Sequence, residues 1–527
     1  MSKTIPVMIG SILALIGMFI MLSRGDSRPA PSVAKDASLA DGKTSRAVML
    51  FCAASNRAVM ESILADYQQE CGRRVEVQYG PSQTLLSQVE VSNVGDLYLP
   101  ADDSYLNLGQ EKGLIAEVLP IARMQGVVAV KKGNPKSIET FEDLLRDDVR
   151  LVQADPQAAA IGKVTRSVLS EAGLWEELSA ATTAFRTTVT EAANDVLVGA
   201  ADAAIVYDAV LHTYPDLEFV DLPELNSVAS QISVGVIDST KQSQAALHLA
   251  RYISARDRGL EHYRDHGFRV SGGDLWSEVP QLKLYAGSML RPAIEDTIKE
   301  FESREGVTVE TVYNGCGILV AQMKAGQVPD AYFACDSEFM EQVPDLFPES
   351  VEVSQNELVI VVQKGNPKEI ASLRDLTKPG LRVGVGHEKQ CAMGWLTQNT
   401  FREGGVQQEV MENVTVQSPT GDMLVNQMRT GSLDAAVVYL SNAAGSGEYL
   451  DAVRIQGLEC SIATQPYAVS PQSPNGRTAS RLFERICSLE SQEDFAAQGF
   501  GWKLSAIDPG FDAPLSDDLD SGVGKHD

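Results

Sequence analysis

Three features of this 527-residue chain predict two tandem α/β modules built on parallel sheets. A series of short motifs is written twice at a near-constant offset. Within each copy, strand-length apolar runs alternate with helix-length amphipathic stretches. The strand-like runs are apolar almost throughout, as strands covered on both faces are. The duplication shows in the residues: Lys132-Gly133-Asn134-Pro135-Lys136 returns as Lys364-Gly365-Asn366-Pro367-Lys368, Ile205-Val206-Tyr207 as Val437-Val438-Tyr439, and Gly267-Phe268 as Gly499-Phe500, each 232 residues later. Asp96-Leu97-Tyr98 matches Asp330-Ala331-Tyr332 at an offset of 234. An offset that holds over this distance means one duplicated module, not a solenoid of short repeats.

Taken in order, the chain opens on an almost unbroken apolar run, residues 5–22, just long enough to span a bilayer as a helix. Residues 1–26 are therefore expected to be an N-terminal membrane anchor or a cleaved signal peptide. Either exports the rest of the chain to a periplasmic or extracytoplasmic place, held at the inner membrane by residues 5–22 in the first case. Residues 27–45, rich in Pro, Ala, Ser and Asp, read as a flexible linker. The first module takes 46–272, a second linker 273–280, the second module 281–505, and an acidic tail 506–527.

Inside the first module, 47–52 reads as a strand that breaks at small residues and hands over, through Ser55, to an amphipathic helix at 57–71. A strand at 74–79, a helix at 84–91 and a strand at 97–99 come next. The pattern continues with a buried strand at 126–131, a short helix at 141–146, a strand at 150–153, helices at 160–172 and 191–198, and a strand at 203–207. The second module repeats this order. In sheets of this kind ligands sit beyond the carboxyl ends of the strands. Ser55, Ser82 and Tyr207 fall there in the first module; Ser288, Cys316 and Tyr439 do so in the second.

Composition narrows the function. The formal charge is −27, from 71 acidic against 44 basic residues. That balance argues against nucleic acid or an acidic membrane surface as partner. Any bound anion must then be held by local dipoles. Seven cysteines, sparse, odd in number and without CxxC pairing, fit neither a disulfide scaffold nor a structural zinc site, although an exported chain leaves room for one or two bridges. Six histidines, with no His/Asp partner in order for any serine, speak against a hydrolase triad. Lys132-Gly133-Asn134-Pro135 is a turn and not a phosphate loop. No enzymatic activity, catalytic residue, metal or cofactor is expected.

Both modules resemble the periplasmic molybdate-binding protein of ABC importers, a type II periplasmic binding protein. In the first, the likeness rests on Ala53-Ala54-Ser55-Asn56, Tyr79-Gly80-Pro81-Ser82-Gln83-Thr84-Leu85, Asp96 to Asp102, Arg150 to Pro156, Ile205-Val206-Tyr207 and His266-Gly267-Phe268. In the second it rests on Ala286-Gly287-Ser288, Tyr313-Asn314-Gly315-Cys316-Gly317, Asp330 to Asp336, Arg382 to Gly386, Val437-Val438-Tyr439 and Gly499-Phe500. The resemblance implies two α/β lobes per module, joined by a hinge, with a tetrahedral oxyanion in the cleft. It implies molybdate or tungstate as the ligand and an ABC permease as the partner. Carried over by position, the ligand contacts are Ser55, Ser82 and Tyr207 with backbone donors near Ile161 and Val189. In the second module they are Ser288, Cys316 and Tyr439, with backbone donors near Met393 and Thr420.

The chemistry agrees with that implication. A dianion has no proton to donate, so its site should present only donors, hydroxyls and N–H groups, best at helix starts. Two departures stand out. Cys316 replaces the second serine of the pattern, and a thiol is a larger and weaker donor; this leaves open another anion, weaker binding or thiol chemistry in the second module. Pro81 and Ile161 suggest a constricted first site. Cys316, Cys335 and Cys391 all map near the second cleft, where inert buried thiols are expected in preference to a metal site with His387. Sulfate, phosphate or an iron complex as cargo, and a membrane-tethered ligand sensor not coupled to transport, stay open as alternatives.

Overall fold

The computed structural model describes residues 46–92 and 94–504. The expected anchor, its tether and the acidic tail lie outside the described residues. Among the described residues no helix is long and apolar enough to cross a membrane.

In the first module the chain lays down β1 (Val48–Ala53), β2 (Val75–Gly80), β3 (Leu97–Leu99), β4 (Ile115–Lys131), β5 (Leu151–Ala154), β6 (Thr182–Arg186), β7 (Ala203–Tyr207), β8 (Leu217–Val220), β9 (Ala229–Ile237) and β10 (Arg269–Val270). Their order is β2-β1-β3-β9-β4-β7-β5-β6, with β8 and β10 also paired to β4. β1 runs parallel to β2 and β3, and β5 to β6 and β7. β9 is antiparallel to β3 and β4, and β7 is antiparallel to β4. The sheets are therefore mixed, which corrects the expectation of parallel ones.

The cause is β4. Up to Gln125 it pairs with β9, and from Gly126 with β7, so one continuous strand belongs to both lobes. The chain crosses between lobes along β4 and crosses back between β8 and β9, so the returning strand must run against the outgoing one. The sequence suggested only the stretch 126–131, because the earlier part carries Pro120. Register shifts at Ile115/Val118 and Pro120/Ala122 admit a residue that has no N–H to give to the ladder.

The second module repeats the plan with β11 (Gln281–Gly287), β12 (Thr308–Asn314), β13 (Ala331–Phe333), β14 (Val351–Gln363), β15 (Val383–Gly386), β16 (Val414–Ser418), β17 (Ala435–Tyr439), β18 (Leu450–Arg454), β19 (Ile462–Val469) and β20 (Gly501–Trp502). Its order, β12-β11-β13-β19-β14-β17-β15-β16, is the same strand for strand. Each module has its own apolar core.

The two modules fall in one compact unit, and charge pairs fasten them together. In the helix Ser243–Ile253 every residue from Ala246 on is buried, His248 and Arg251 included. A helix is buried all round only when covered on both sides. Here β9 lies on one side and the helix Arg291–Glu305 of the second module on the other. At the centre, the Glu305 carboxylate takes two hydrogen bonds from Arg481, at 2.8 and 3.0 Å, and one from Arg251 at 3.3 Å. Burial alone would raise the Glu305 carboxyl, but the two guanidinium groups hold it below its usual range. Arg304 forms a two-pronged pair with Glu117 of the first module. Asp274, between the modules, accepts from the N–H groups of Arg477 and Thr478 and so caps the helix Gly476–Ile486 from outside.

Replacing Glu305 by Gln removes the one carboxylate to which both buried guanidinium groups are hydrogen-bonded. A loss of about 3–5 kcal/mol is expected in urea denaturation, and a loss below about 1 kcal/mol would show that the triad does not hold the modules together. Because the folded carboxyl lies below the unfolded one, its contribution is complete above about pH 4.5 and is lost as pH falls through the folded value.

Candidate functional site

In the first module four strands that end at the gap between the lobes lead, directly or through a short turn, into a helical start. β1 runs into the 3-10 turn Ala54–Asn56, and β2, through Pro81, into the helix Ser82–Ser92. Across the gap, β5 leads to the helix Ala160–Glu171 and β6 to the helix Val189–Leu197. The five residues expected from the sequence, Ser55, Ser82, Ile161, Val189 and Tyr207, line one cavity of about 20 Å³. The other lining residues are Ala53, Ala54, Gly80, Pro81, Ala101, Ala159, Ala160, Thr187 and Thr188, so the wall carries no charged side chain. Pro81 and Ile161 both form part of it.

The donors around this cavity are not equivalent. Ser55 Oγ is buried and has no hydrogen-bond partner among the described residues. Its turn is pinned by the neighbouring Asn56, which donates to the Pro100 carbonyl and accepts from the Tyr263 hydroxyl. Ser82 Oγ accepts the Ala101 N–H at 3.1 Å, which leaves the serine proton to donate elsewhere. The Tyr207 hydroxyl lies 2.5 Å from Ser230 Oγ. Burial raises this phenol well above its ordinary value, so it stays protonated. Ala159, at the N-cap of the helix Ala160–Glu171, supplies no side-chain cap, and the first N–H groups of that helix are left for an outside acceptor. A Cβ on Gly162 would stand 2.4 Å from the Ala154 carbonyl oxygen, so glycine is what lets this helix start press against the end of β5.

Outward, the cavity shares Ser55, Pro81 and Thr188 with a groove of about 590 Å³ between the lobes. Charge appears only there, as Arg57, Glu61 and Glu191. Arg57 lies over the Tyr79 ring at 4.4 Å, and Arg291 lies over Tyr313 at the same distance in the second module. Sequence reasoning missed this pair, although its repetition at one offset was there to be found. Lys163 crosses the gap and donates to Ser104 at 3.1 Å.

The second module has diverged at the same positions. Cys316 and Cys335 form a disulfide. This corrects the expectation of a free thiol at Cys316, since a disulfide sulfur has no hydrogen to donate; only the backbone N–H at that helix start remains. The bridge replaces the Ser82–Ala101 bond of the first module, and the Cys335 N–H still reaches Cys316 Sγ at 3.0 Å. Cβ atoms on Gly315 and Gly317 would stand 2.4 Å from the Gln390 and 2.1 Å from the Lys389 carbonyl oxygen, so the lobes here meet backbone to backbone. Ser288 is half-buried at the start of the 3-10 turn Ser288–Leu290, and Met393 is buried at the second position of the helix Ala392–Glu403. Thr420 is the N-cap of the helix Gly421–Arg429. Its counterpart is Thr188, the N-cap before Val189, so the expected pairing of Thr420 with Val189 is one residue out. Cys391 is buried and unpaired, and among the described residues His387 joins no potential metal-ligand group.

Tyr439 differs most. The strand register puts Ala463 opposite Asn356 where Ser230 stands opposite Met124. The Tyr439 hydroxyl is accordingly buried with no hydrogen-bond partner among the described residues. Nearby, burial pushes the Asp336 carboxyl up to about 7, and its charge bears on Tyr439.

The family described as bacterial extracellular solute-binding protein matches residues 48–269 and again 282–501. The chain belongs to that family, in tandem duplicate. Individual relatives are distant from this solute-binding chain. A Haemophilus influenzae protein is 26% identical over 220 residues, 42% of this chain and 89% of that one. The molybdate-binding protein ModA of Mycobacterium tuberculosis is 27% identical over 218 residues, 40% of this chain and 80% of ModA. Among solved structures, the periplasmic molybdate-binding protein of Azotobacter vinelandii is 17% identical, with a TM-score of 0.36, covering 43% of this chain and all of that protein.

Two measurements test the tyrosine contrast in this solute-binding chain. Tyr207→Phe orphans Ser230 and should cost about 1–2 kcal/mol in urea denaturation, whereas Tyr439→Phe removes an unpartnered buried hydroxyl and should be neutral or stabilising by about 1 kcal/mol. Equal losses at both would contradict the assignment. For Asp336 the native chain binds more protons than the unfolded one between about pH 4 and 7, so stability falls as pH rises through that window. Asp336→Asn should exceed the parent by up to about 4 kcal/mol at pH 8 and match it near pH 3.5.

Proposed function

We propose that this protein is an extracytoplasmic solute-binding protein whose first-module cleft captures a tetrahedral dianion, molybdate or tungstate, for delivery to an ABC permease. The observation that carries this is the uncharged cavity fed by three α-helix starts and a 3-10 turn, with the Ser55 hydroxyl buried and unpartnered inside it. Ser55 and Ser82 hydroxyls and the backbone N–H groups near Ile161 and at Thr188–Val189 supply the donors, with Tyr207 beside them. With no carboxylate in the wall, a protonated anion such as hydrogen phosphate finds no charged acceptor for its own O–H. Between the lobes the low dielectric strengthens each contact. Binding without chemistry suits such a donor set, since none of these groups is a base at neutral pH. The names of the ModA relatives support the choice of anion, and the Cys316–Cys335 bridge supports an oxidising compartment.

In the second module Ser288, Tyr439 and the N–H groups near Cys316, Met393 and Thr420 make a poorer set, because the disulfide removes one side-chain donor and Asp336 adds a carboxyl nearby. Calorimetric titration of the whole chain with molybdate, tungstate, sulfate and phosphate should show one tight anion per chain, for the first two only. Ser55→Ala should weaken it by roughly 10–100-fold, the worth of one hydrogen bond to a charged group. No heat with molybdate or tungstate ends the ligand assignment. Binding that survives Ser55→Ala but not Ser288→Ala moves the site to the second module.

A further inference from the structure

We infer that Cys71, His248 and Glu278 form a binding site for a zinc-class divalent cation, one that pins the segment between the modules to the first module. The three residues come from separate elements. Cys71 ends the helix Arg57–Cys71, His248 lies in the helix Ser243–Ile253, and Glu278 lies between β10 and β11. One sulfur, one nitrogen and one carboxylate oxygen lie within 4.8 Å of one another, the only such group among the described residues. A tetrahedral zinc holds ligands of these kinds roughly 3.3–3.8 Å apart, so closure by about 1 Å completes the arrangement.

The second observation is the state of His248. Its side chain is 4% exposed. Nδ1 is engaged by the Tyr67 hydroxyl at 2.8 Å. Among the described residues Nε2 is buried without a well-aligned hydrogen bond, and its ion-pair neighbour Glu278 Oε2 lies 3.2 Å away. The oxygen is near Nε2 but off the line of a hydrogen bond, as two ligands turned toward a common third atom are. In the tautomer that donates Nδ1–H to the Tyr67 oxygen, the Nε2 lone pair is free for a metal, and Tyr67 fixes the ring as the outer partner of a metal-bound histidine does. Arg73 holds the other Glu278 oxygen at 2.8 Å and turns Oε2 inward. Binding releases the Cys71 thiol proton to solvent, and thiolate, neutral imidazole and carboxylate then balance a borderline-soft dication. A fourth position is left for water.

The test uses the full chain, stripped with a chelator and dialysed. Zinc titrated in competition with a chromophoric chelator should bind at one per chain. Cobalt should give a thiolate charge-transfer band in the near ultraviolet that Cys71→Ser abolishes. His248→Gln and Glu278→Gln should each weaken zinc at least tenfold; Glu278, more than half exposed, is the variant whose folding is least at risk. No stoichiometric zinc, a cobalt band that persists in Cys71→Ser, or unchanged affinity in Glu278→Gln overturns the site. Molybdate binding, measured in parallel on the stripped chain, reports separately on the cleft.

Discussion

The N–H groups of a first helical turn have no acceptor inside their own helix, and in a low-dielectric gap an unpaired donor is costly. The first module gathers three α-helix starts and a 3-10 turn at one gap because strand ends and helix starts alternate along the edges of both lobes. An uncharged wall is then a requirement. A lysine would fill the gap with its own charge, and a carboxylate would itself take up the free N–H groups. Small residues such as Ala53, Ala54, Ala159 and Ala160 let the four starts approach one another.

The duplicate shows how little change alters such a site. Its strand order is identical, yet the Ser82–Ala101 hydrogen bond has become the Cys316–Cys335 bridge, and the Ser230 partner of the cleft tyrosine has become Ala463. Glycines at 315 and 317 bring the second module's lobes into backbone contact. Cys316, Cys335 and Ala463 are all buried in the second module's core, yet the strand order is unchanged, so the site has diverged without a change of fold.

The union of the modules rests on different physics. Glu305 sits between two arginines at almost complete burial. A buried ion triad of this kind contributes little net stability over an apolar contact, but any misplacement of the modules leaves a bare charge. It therefore specifies how the modules meet more than it strengthens the meeting. The all-round burial of this helix from Ala246 to Ile253 has the same origin, and so has the presence of His248 and Arg251 inside it.

The amino-acid sequence by itself determined the duplication, the strand–helix alternation and the strand ends where the cleft lies, because each is written in local periodicity and in motifs repeated at a fixed offset. Ser55, Ser82 and Tyr207 were legible for that reason, whereas Ile161 and Val189 came from the resemblance to the molybdate-binding family; all five line one cavity. Only the tertiary structure decided what depends on chain segments far apart in sequence. The antiparallel β4–β9 pairing, the bond of Tyr207 to Ser230 across neighbouring strands, the Cys316–Cys335 bridge and the Arg251–Glu305–Arg481 triad all join such segments. Periodicity reports the face a residue presents. It carries no information about which residue meets it there, and hydrogen bonds, disulfides and ion pairs are settled by that meeting.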